Sequence, residues 1–364
     1  MRPRAAALAP AGICAAALAA SATALGLVAP SGTAWAQGAT WVEVERWQLP
    51  PLPMEPLDVA LSPDGRLWVA DGRNGRVAVY PPGSDAPSAR LEPPEAIAAL
   101  SPTGPGAGSV VPFSLEIDPG RDRLYVLWAE IVPPGDRFRE GLTSLYIERR
   151  RLDGASLGVV VRRGPPLPAT AGMVTDLALG RDGELLAYVS GQAERLDAVA
   201  GTATAIARVG REGEATRMAV LPGGDLVVAS PWSGQLLRYG PSGALVDAWP
   251  IGGPLTPRAV ATGDDGITHV LLGADEGLEV EPGRTVLLAL DGSGAAIAGR
   301  DAAELGIDVP RGGWPLALAL AGGDAASGMA LVGAGDRLVV ARQAPAGARW
   351  PALEGAAAAP GWSP

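Results

Sequence analysis

Alternating apolar and polar positions are clearest between Pro56 and Tyr80, where the chain reads PLDVALSPDGRLWVADGRNGRVAVY. Three apolar runs are separated by SPDG and DGRNG, and both separators favour tight turns. The segment therefore predicts three short antiparallel strands. Degraded copies recur along the chain, and because such a unit cannot bury its own apolar face, the copies must stack on one another.

The repeats predict an all-β ring. Candidate innermost strands begin near Pro56, Pro112, Met173, Pro257 and Pro315. The interval from Met173 to Pro257 is long enough for two units, and DLVVASPW, QLLRYGPSG and ALVDAWPIG supply most of the extra one. We therefore predict a six-bladed β-propeller with nominally four strands per blade.

Two strand assignments stay open at this point. The run EATRMAVLPGG fits either the outer strand of the third blade or the inner strand of the fourth. In the sixth repeat, GMALVGAGDRLVVAR aligns with the first repeat almost as well as PLALALAG does.

The N-terminal strand is predicted to close the ring. The segment Thr40 to Leu49 alternates apolar and polar residues but has no partner of its own, and the sixth blade lacks an outer strand. Pairing the two would leave no open edge. We expect one propeller domain over residues 37–346, a long loop between Pro93 and Val111, and a low-complexity tail over residues 347–364.

Residues 1–36 are typical of a secretory signal peptide. Arg2 and Arg4 precede an apolar run, and Ala34 to Ala36 offer a small-residue cleavage site. A retained membrane anchor is the alternative, but cleavage is favoured, and we expect a secreted or extracytoplasmic protein of the periplasm or cell envelope without membrane insertion. The single cysteine, Cys14, lies in this segment, so the mature chain would have no disulfide.

Charge and motifs narrow the function classes. The net charge of -10 argues against nucleic acid and anionic lipids as partners. The chain contains no lysine, which excludes a Walker phosphate loop. Gly154 to Gly158 match G-x-S-x-G, but Ser156 is placed between two outer strands instead of a strand-to-helix turn, so we do not predict a nucleophile. His269 aligns with Trp68, which predicts a packing role.

The first repeat carries a family resemblance. Its pattern, Pro-x-x-Val-Ala-x-x-Pro-x-Gly-x-Leu-x-Val-Ala-Asp followed by Asn-x-Arg-Val-x-Val-Tyr, resembles the NHL repeat, and the whole chain resembles the TolB-like six-bladed propellers. The resemblance implies a ligand-binding or protein-binding propeller. A distant similarity to SMP-30/gluconolactonase propellers implies a divalent-metal-dependent lactonase with Glu, Asn and Asp ligands. The one asparagine, Asn74, is placed in a turn, so Asp58, Glu116 and Asp176 stay as a weaker set for Ca²⁺.

The predicted binding face is formed by the loop after each second strand and the loop entering each first strand. For Asp71 and Asn74, the geometry of a sharp turn is the alternative explanation, since such turns favour Asp and Asn. The candidate residues are Asp58, Asp71, Arg73, Asn74, Glu116, Trp128, Glu130, Asp176, Gln192, Glu194, Trp232 and Arg258.

The leading hypothesis is an exported, monomeric, non-catalytic propeller that binds a protein or glycan partner through the channel and loop face, without a cofactor. The alternative is a divalent-metal-dependent lactone or ester hydrolase of the SMP-30-like type, with Ca²⁺ as its cofactor. A purely structural component of the cell envelope is a third possibility.

Overall fold

The computed structural model describes fourteen separate stretches of the chain. They are residues 41–48, 56–98, 109–132, 141–163, 175–180, 182–189, 191–197, 202–209, 217–251, 253–274, 285–301, 317–320, 329–332 and 338–345. The predicted signal peptide, most of the loop between Pro93 and Val111, and the predicted C-terminal tail lie outside the described residues.

The described residues form six four-stranded sheets in which all neighbouring strands are antiparallel. Sheet 1 contains β2 (Pro56–Leu61), β3 (Leu67–Asp71), β4 (Arg76–Tyr80) and β5 (Ala89–Leu91). Sheet 2 contains β6 (Ser109–Asp118), β7 (Arg123–Val132), β8 (Gly141–Arg151) and β9 (Ser156–Arg163). Sheet 3 contains β10 (Thr175–Leu179), β11 (Leu185–Val189), β12 (Gln192–Asp197) and β13 (Thr202–Arg208).

The second half of the chain repeats this arrangement. Sheet 4 contains β14 (Met218–Val220), β15 (Leu226–Ser230), β16 (Gln235–Tyr239) and β17 (Leu245–Pro250). Sheet 5 contains β18 (Thr256–Thr262), β19 (Thr268–Gly273), β20 (Thr285–Leu290) and β21 (Ala296–Asp301). Sheet 6 contains β22 (Leu318–Leu320), β23 (Met329–Val332), β24 (Leu338–Pro345) and β1 (Trp41–Gln48).

Helical structure in the described residues is limited to α1 (Glu95–Ala98) and a 3₁₀ turn at Pro119–Arg121. Neither is long and apolar enough to cross a membrane. The prediction of an all-β propeller arrangement is therefore confirmed.

Tight hairpins join the first and second strands of sheets 1, 3, 4 and 5. In sheet 1 the Gly65 amide donates to the Ser62 carbonyl over 2.8 Å, and Gly65 has a φ of 82° that favours glycine. The same bond recurs from Gly183 to Gly180, and from Gly266 to Gly263. The turn predicted at SPDG is confirmed at Asp64-Gly65, and equivalent turns form at Asp182-Gly183 and Asp265-Gly266.

The two open strand assignments are settled by the pairing. The run EATRMAVLPGG supplies β14, the first strand of sheet 4, because Met218 to Val220 pair only with β15. PLALALAG supplies β22, the first strand of sheet 6, and GMALV supplies β23 beside it.

The first strands of the sheets contact one another in chain order. β2 contacts β6, β6 contacts β10, β10 contacts β14, β14 contacts β18, β18 contacts β22, and β22 contacts β2. The N-terminal strand pairs along its length with β24, from Trp41 opposite Pro345 to Gln48 opposite Val339. The first strands of neighbouring sheets therefore lie side by side.

The apolar core lies between the faces of neighbouring sheets. One buried cluster spans sheets 1 to 3, a second joins sheets 3 and 4, and a third spans sheets 4 to 6. Large aromatic side chains are fully buried in these layers, including Trp68, Trp128 and Tyr188. Burial of such rings is a main source of stability between neighbouring sheets.

His269 occupies the predicted packing position. It lies opposite Ala261 in β18, as Trp68 lies opposite Ala60 and Tyr125 lies opposite Glu116 in their own hairpins. His269 is only 2% exposed. The prediction that it shares the register position of Trp68 and Tyr125 is confirmed.

Candidate functional site

A central cavity of about 440 Å³ is lined by the first strands of all six sheets. In sheet 1 the lining begins at Asp58 and ends at Leu61, next to the turn into β3. Turn residues that follow other first strands, such as Pro119 and Asp264, also line it. The cavity therefore extends from the level of Asp58 toward the end of the sheets that carries the first hairpins.

One register position, called the floor here, lies at the Asp58 end of this cavity, and its residues in sheets 1, 3, 4 and 5 line the cavity directly. Counting back from the first hairpins, and using the strand pairing, the residues at this position are Asp58, Ser114, Asp176, Arg217, Ala259 and Ala317 in sheets 1 to 6. Four of the six are polar, and the first four in chain order lie in consecutive sheets.

The polar floor residues hydrogen-bond to the next sheet. Asp58 Oδ2 accepts from the Leu115 amide over 2.8 Å. Ser114 Oγ accepts from the Leu177 amide over 3.1 Å, and Asp176 Oδ2 accepts from the Met218 amide over 2.8 Å. The first strand of each sheet has an edge that faces the centre, and its amides need acceptors when they are buried. These side chains supply them.

Arg217 places its guanidinium among residues of sheets 1 and 3. Its Nη1 donates to Asp176 Oδ1 over 2.8 Å and lies 3.5 Å from Asp58 Oδ2. Its Nη2 donates to the Leu57 carbonyl oxygen over 2.6 Å. The Arg217 side chain is 13% exposed, so this charge-assisted contact is largely shielded from solvent.

Burial and neighbouring charges shift the pKa values of this group. Burial raises the pKa of Asp58 to about 6, with Asp176 acting in the same direction and Arg217 opposing both. Burial acts to lower the pKa of Arg217, but Asp58 and Asp176 together raise it above its usual value. The guanidinium therefore keeps its charge between the two carboxyl groups.

Glu116 lines the cavity beside this group, on β6, and is partly exposed. Burial raises the pKa of Glu116 well above its ordinary value, and the negative charges of Asp176 and Asp58 raise it further. A hydrogen bond from the Leu179 amide acts in the opposite direction. Glu116 thus adds a carboxyl group that stays protonated to a higher pH than an ordinary glutamate does.

The structure brings Asp58, Glu116 and Asp176 together in the cavity and places the other predicted site residues elsewhere. Asp71 and Asn74 form the turn between β3 and β4, where Asn74 Nδ2 donates to Asp71 Oδ2 over 2.6 Å. This turn lies at the end of sheet 1 opposite the first hairpin, and Arg73 is exposed at its tip.

The remaining predicted residues divide between core and surface. Trp128 is fully buried, and its Nε1 donates to Glu148 Oε2 over 2.9 Å. Glu130 and Glu194 are also buried, whereas Gln192 and Trp232 are exposed, Trp232 by 69%. Arg258 is half-buried and lies at the irregularity in the pairing of β18. None of these six residues lines the cavity.

The carboxyl groups on the floor do not fit the divalent cation implied by the SMP-30-like resemblance. The oxygens of Asp58 and Asp176 accept from backbone amides, and the Arg217 guanidinium lies where a cation would approach both. Within the described residues, no group of three or more His, Cys, Asp or Glu side chains is arranged to hold a metal ion.

The hydrolase-like motif has a structural role. Ser156 Oγ donates to Glu148 Oε1 over 2.6 Å, and Glu148 also forms a buried ion pair of 2.8 Å with Arg150. His269 is buried in sheet 5, outside the cavity lining, and burial lowers its pKa to about 4, with Asp265 opposing the shift. Ser156 is therefore an exposed residue of sheet 2, whereas His269 is buried in sheet 5.

Sequence reasoning missed Arg217, although a signal for it exists. Setting Leu221-Pro222-Gly223-Gly224 over Ser62-Pro63-Asp64-Gly65 superimposes the first turns of sheets 4 and 1. Arg217 then falls on the position of Asp58. The ambiguous assignment of EATRMAVLPGG hid this correspondence.

Comparison with known proteins agrees with this architecture. The NHL repeat family matches residues 54–80. A search of curated protein sequences found no match. A protein of unknown function from Bacteroides caccae is similar in structure, with 12% sequence identity, coverage of 70% of this chain and 84% of that chain, and a TM-score of 0.51.

Two further solved structures are similar. A protein of unknown function from Bacteroides thetaiotaomicron VPI-5482 has 12% identity, coverage of 84% of this chain and 72% of that chain, and a TM-score of 0.51. Virginiamycin B lyase from Staphylococcus aureus has 13% identity, coverage of 82% and 98%, and a TM-score of 0.49. At 12% identity, the similarity to the two Bacteroides proteins shows the fold alone. The chain is a β-propeller that carries an NHL repeat at residues 54–80.

Proposed function

We propose that this chain is an exported, non-catalytic propeller that binds a protein or glycan partner at the central cavity. The observation that carries the proposal is the cavity of about 440 Å³, lined by the first strands of all six sheets. A cavity of this size is typical of sites for small ligands, or for the terminal unit of a larger one.

The charged floor supports binding over catalysis. Asp58 and Asp176 are engaged by Arg217 and by backbone amides, so neither is free to act as a nucleophile or a general base. Glu116 is more available, since it is partly exposed in the cavity. A protonated carboxyl group can donate to a hydroxyl or carbonyl oxygen, and glycans and peptides both present such oxygens.

We further propose that the six sheets are the blades of a closed ring. The contact between β22 and β2, and the pairing of β1 with β24, support this arrangement. A closed ring leaves no open sheet edge at its seam, which suits a rigid, monomeric binding scaffold. The net charge of -10 favours partners other than nucleic acid.

The metal-dependent lactonase is the less favoured alternative. Its Ca²⁺ would need oxygens that the guanidinium and amides already engage. Propellers of this kind without a fitted cation site are better suited to recognition, and we assign no cofactor to the binding function.

The test uses residues 37–364 on glycan and peptide arrays, followed by titration calorimetry with the ligand found. Glu116→Gln changes the cavity carboxyl, and Glu95→Gln is the matched control at an exposed position of α1. We expect weaker binding only for Glu116→Gln. Loss of binding in Trp232→Ala but not in Glu116→Gln would place the site at the opposite end of the sheets.

The enzyme alternative is tested with the same protein. Hydrolysis of a δ-lactone and of a p-nitrophenyl ester is measured with CaCl₂ and with EDTA. We expect no turnover above the buffer rate, whereas Ca²⁺-dependent turnover that is lost in Asp176→Asn would refute the non-catalytic proposal.

A further inference from the structure

The Arg217 guanidinium is surrounded by three oxygens of the kinds that bind Ca²⁺. Two are carboxylate oxygens, at 2.8 Å from Asp176 and 3.5 Å from Asp58, and the third is the Leu57 carbonyl oxygen at 2.6 Å. Calcium sites in proteins use carboxylate and backbone carbonyl oxygens in this way. Sheets 1 and 3 supply these oxygens, and the positive charge between them is the Arg217 guanidinium instead of a metal ion.

The two carboxylates need a positive neighbour. Asp58 is 7% exposed and Asp176 is 5% exposed, and both face the same guanidinium. Two buried carboxylates close together disfavour ionisation of both unless a cation lies between them. Arg217 meets this requirement because its side chain is charged at any physiological pH.

The backbone around Arg217 fixes its position. The Met218 amide donates to Asp176 Oδ2, and the Arg217 side chain donates to Asp176 Oδ1. Two consecutive residues therefore hold both oxygens of one carboxylate. The second nitrogen of the same guanidinium reaches Leu57, so the contact joins sheet 4 to sheets 1 and 3.

We infer that the Arg217 side chain is a built-in replacement for a divalent cation at the centre of this propeller. The protein is then independent of Ca²⁺, in contrast to the expectation from the SMP-30-like resemblance. Removing the guanidinium while keeping the oxygens should create a cation site. This inference does not depend on which partner the cavity binds.

The test is thermal unfolding of the mature chain in 10 mM CaCl₂ and in EDTA. We expect the melting temperature of the wild type and of Arg217→Lys to be the same in both buffers. Arg217→Ala should gain Ca²⁺ binding with a Kd of about 10⁻⁴ to 10⁻³ M, in the range of weak extracellular sites. Its melting temperature should then rise by about 2 to 4 °C in CaCl₂.

Controls identify the ligands and cover failure to fold. Arg217→Ala combined with Asp176→Asn should lose the gain in CaCl₂, and Arg217→Gln, which keeps most of the side-chain volume, is measured alongside. The inference would be overturned if CaCl₂ raised the melting temperature of the wild type and did not raise that of Asp176→Asn. It is also overturned if Arg217→Ala and Arg217→Gln both fail to respond to CaCl₂, or both fail to fold with and without it.

Discussion

Replacing His269 with phenylalanine should remove a large part of the acid sensitivity of this protein. Burial lowers the pKa of His269 from 6.5 to about 4, so the folded state favours the neutral ring. Because the folded pKa is below the unfolded one, the stabilisation is complete above pH 6.5 and is lost as the pH falls toward 4. The shift corresponds to about 3 kcal/mol of unfolding free energy.

Urea unfolding at several pH values between 4 and 7.5 measures this contribution. The unfolding free energy of the wild type minus that of His269→Phe should increase by about 3 kcal/mol across this range. Trp68→Phe is the matched control, because it changes the equivalent position of sheet 1 without a titrating group, and its curve should stay parallel to the wild type. Parallel curves for His269→Phe would refute the assignment of a buried neutral histidine.

Two substitutions and one deletion test the cavity, the core and the N-terminal strand. The pKa of Asp58 is raised from 3.8 to about 6 in the folded state, so its stabilisation is present below pH 3.8 and is lost as the pH rises through 6. In urea unfolding, the unfolding free energy of Asp58→Asn should therefore increase by about 2 to 3 kcal/mol relative to that of the wild type over this interval. A difference that stays constant with pH would contradict this. Trp68→Ala should cost about 3 to 5 kcal/mol, because the ring is 1% exposed, and a loss below about 1 kcal/mol in the same assay would exclude a packing role. Deleting Thr40 to Leu49 should sharply lower the melting temperature in calorimetry, since it removes the partner of β24, and an unchanged transition would show that this strand does not close the ring.

Much of the fold follows from local sequence. The SPDG and related turns predicted the first hairpins, and simple alignment of those turns predicted that His269 and Trp68 share a register position. Such information is local because strand alternation and glycine turns are set by neighbouring residues. The prediction of a propeller needed only that these units repeat.

The site was predicted less completely, because it depends on contacts between distant residues. Asp58, Glu116 and Asp176 line one cavity, but Arg217, which contacts two of them, is 41 residues from Asp176 and 160 from Leu57. Sequence alternation also does not show which end of the sheets carries the cavity. The predicted face around Asp71 and Asn74 lies at the opposite end.

The hydrogen bonds that the floor residues accept from backbone amides all join one sheet to the next sheet in chain order. Asp58, Ser114 and Asp176 each accept a hydrogen bond from a backbone amide of the following sheet. The equivalent residues of sheets 5 and 6 are Ala259 and Ala317, whose methyl groups cannot accept a hydrogen bond. The side chains of Ala259 and Ala317 therefore offer the following sheet no hydrogen-bond acceptor. We expect local opening of the native state to begin after these two alanines. The Leu318 amide should then exchange with deuterium sooner than the Leu115 amide.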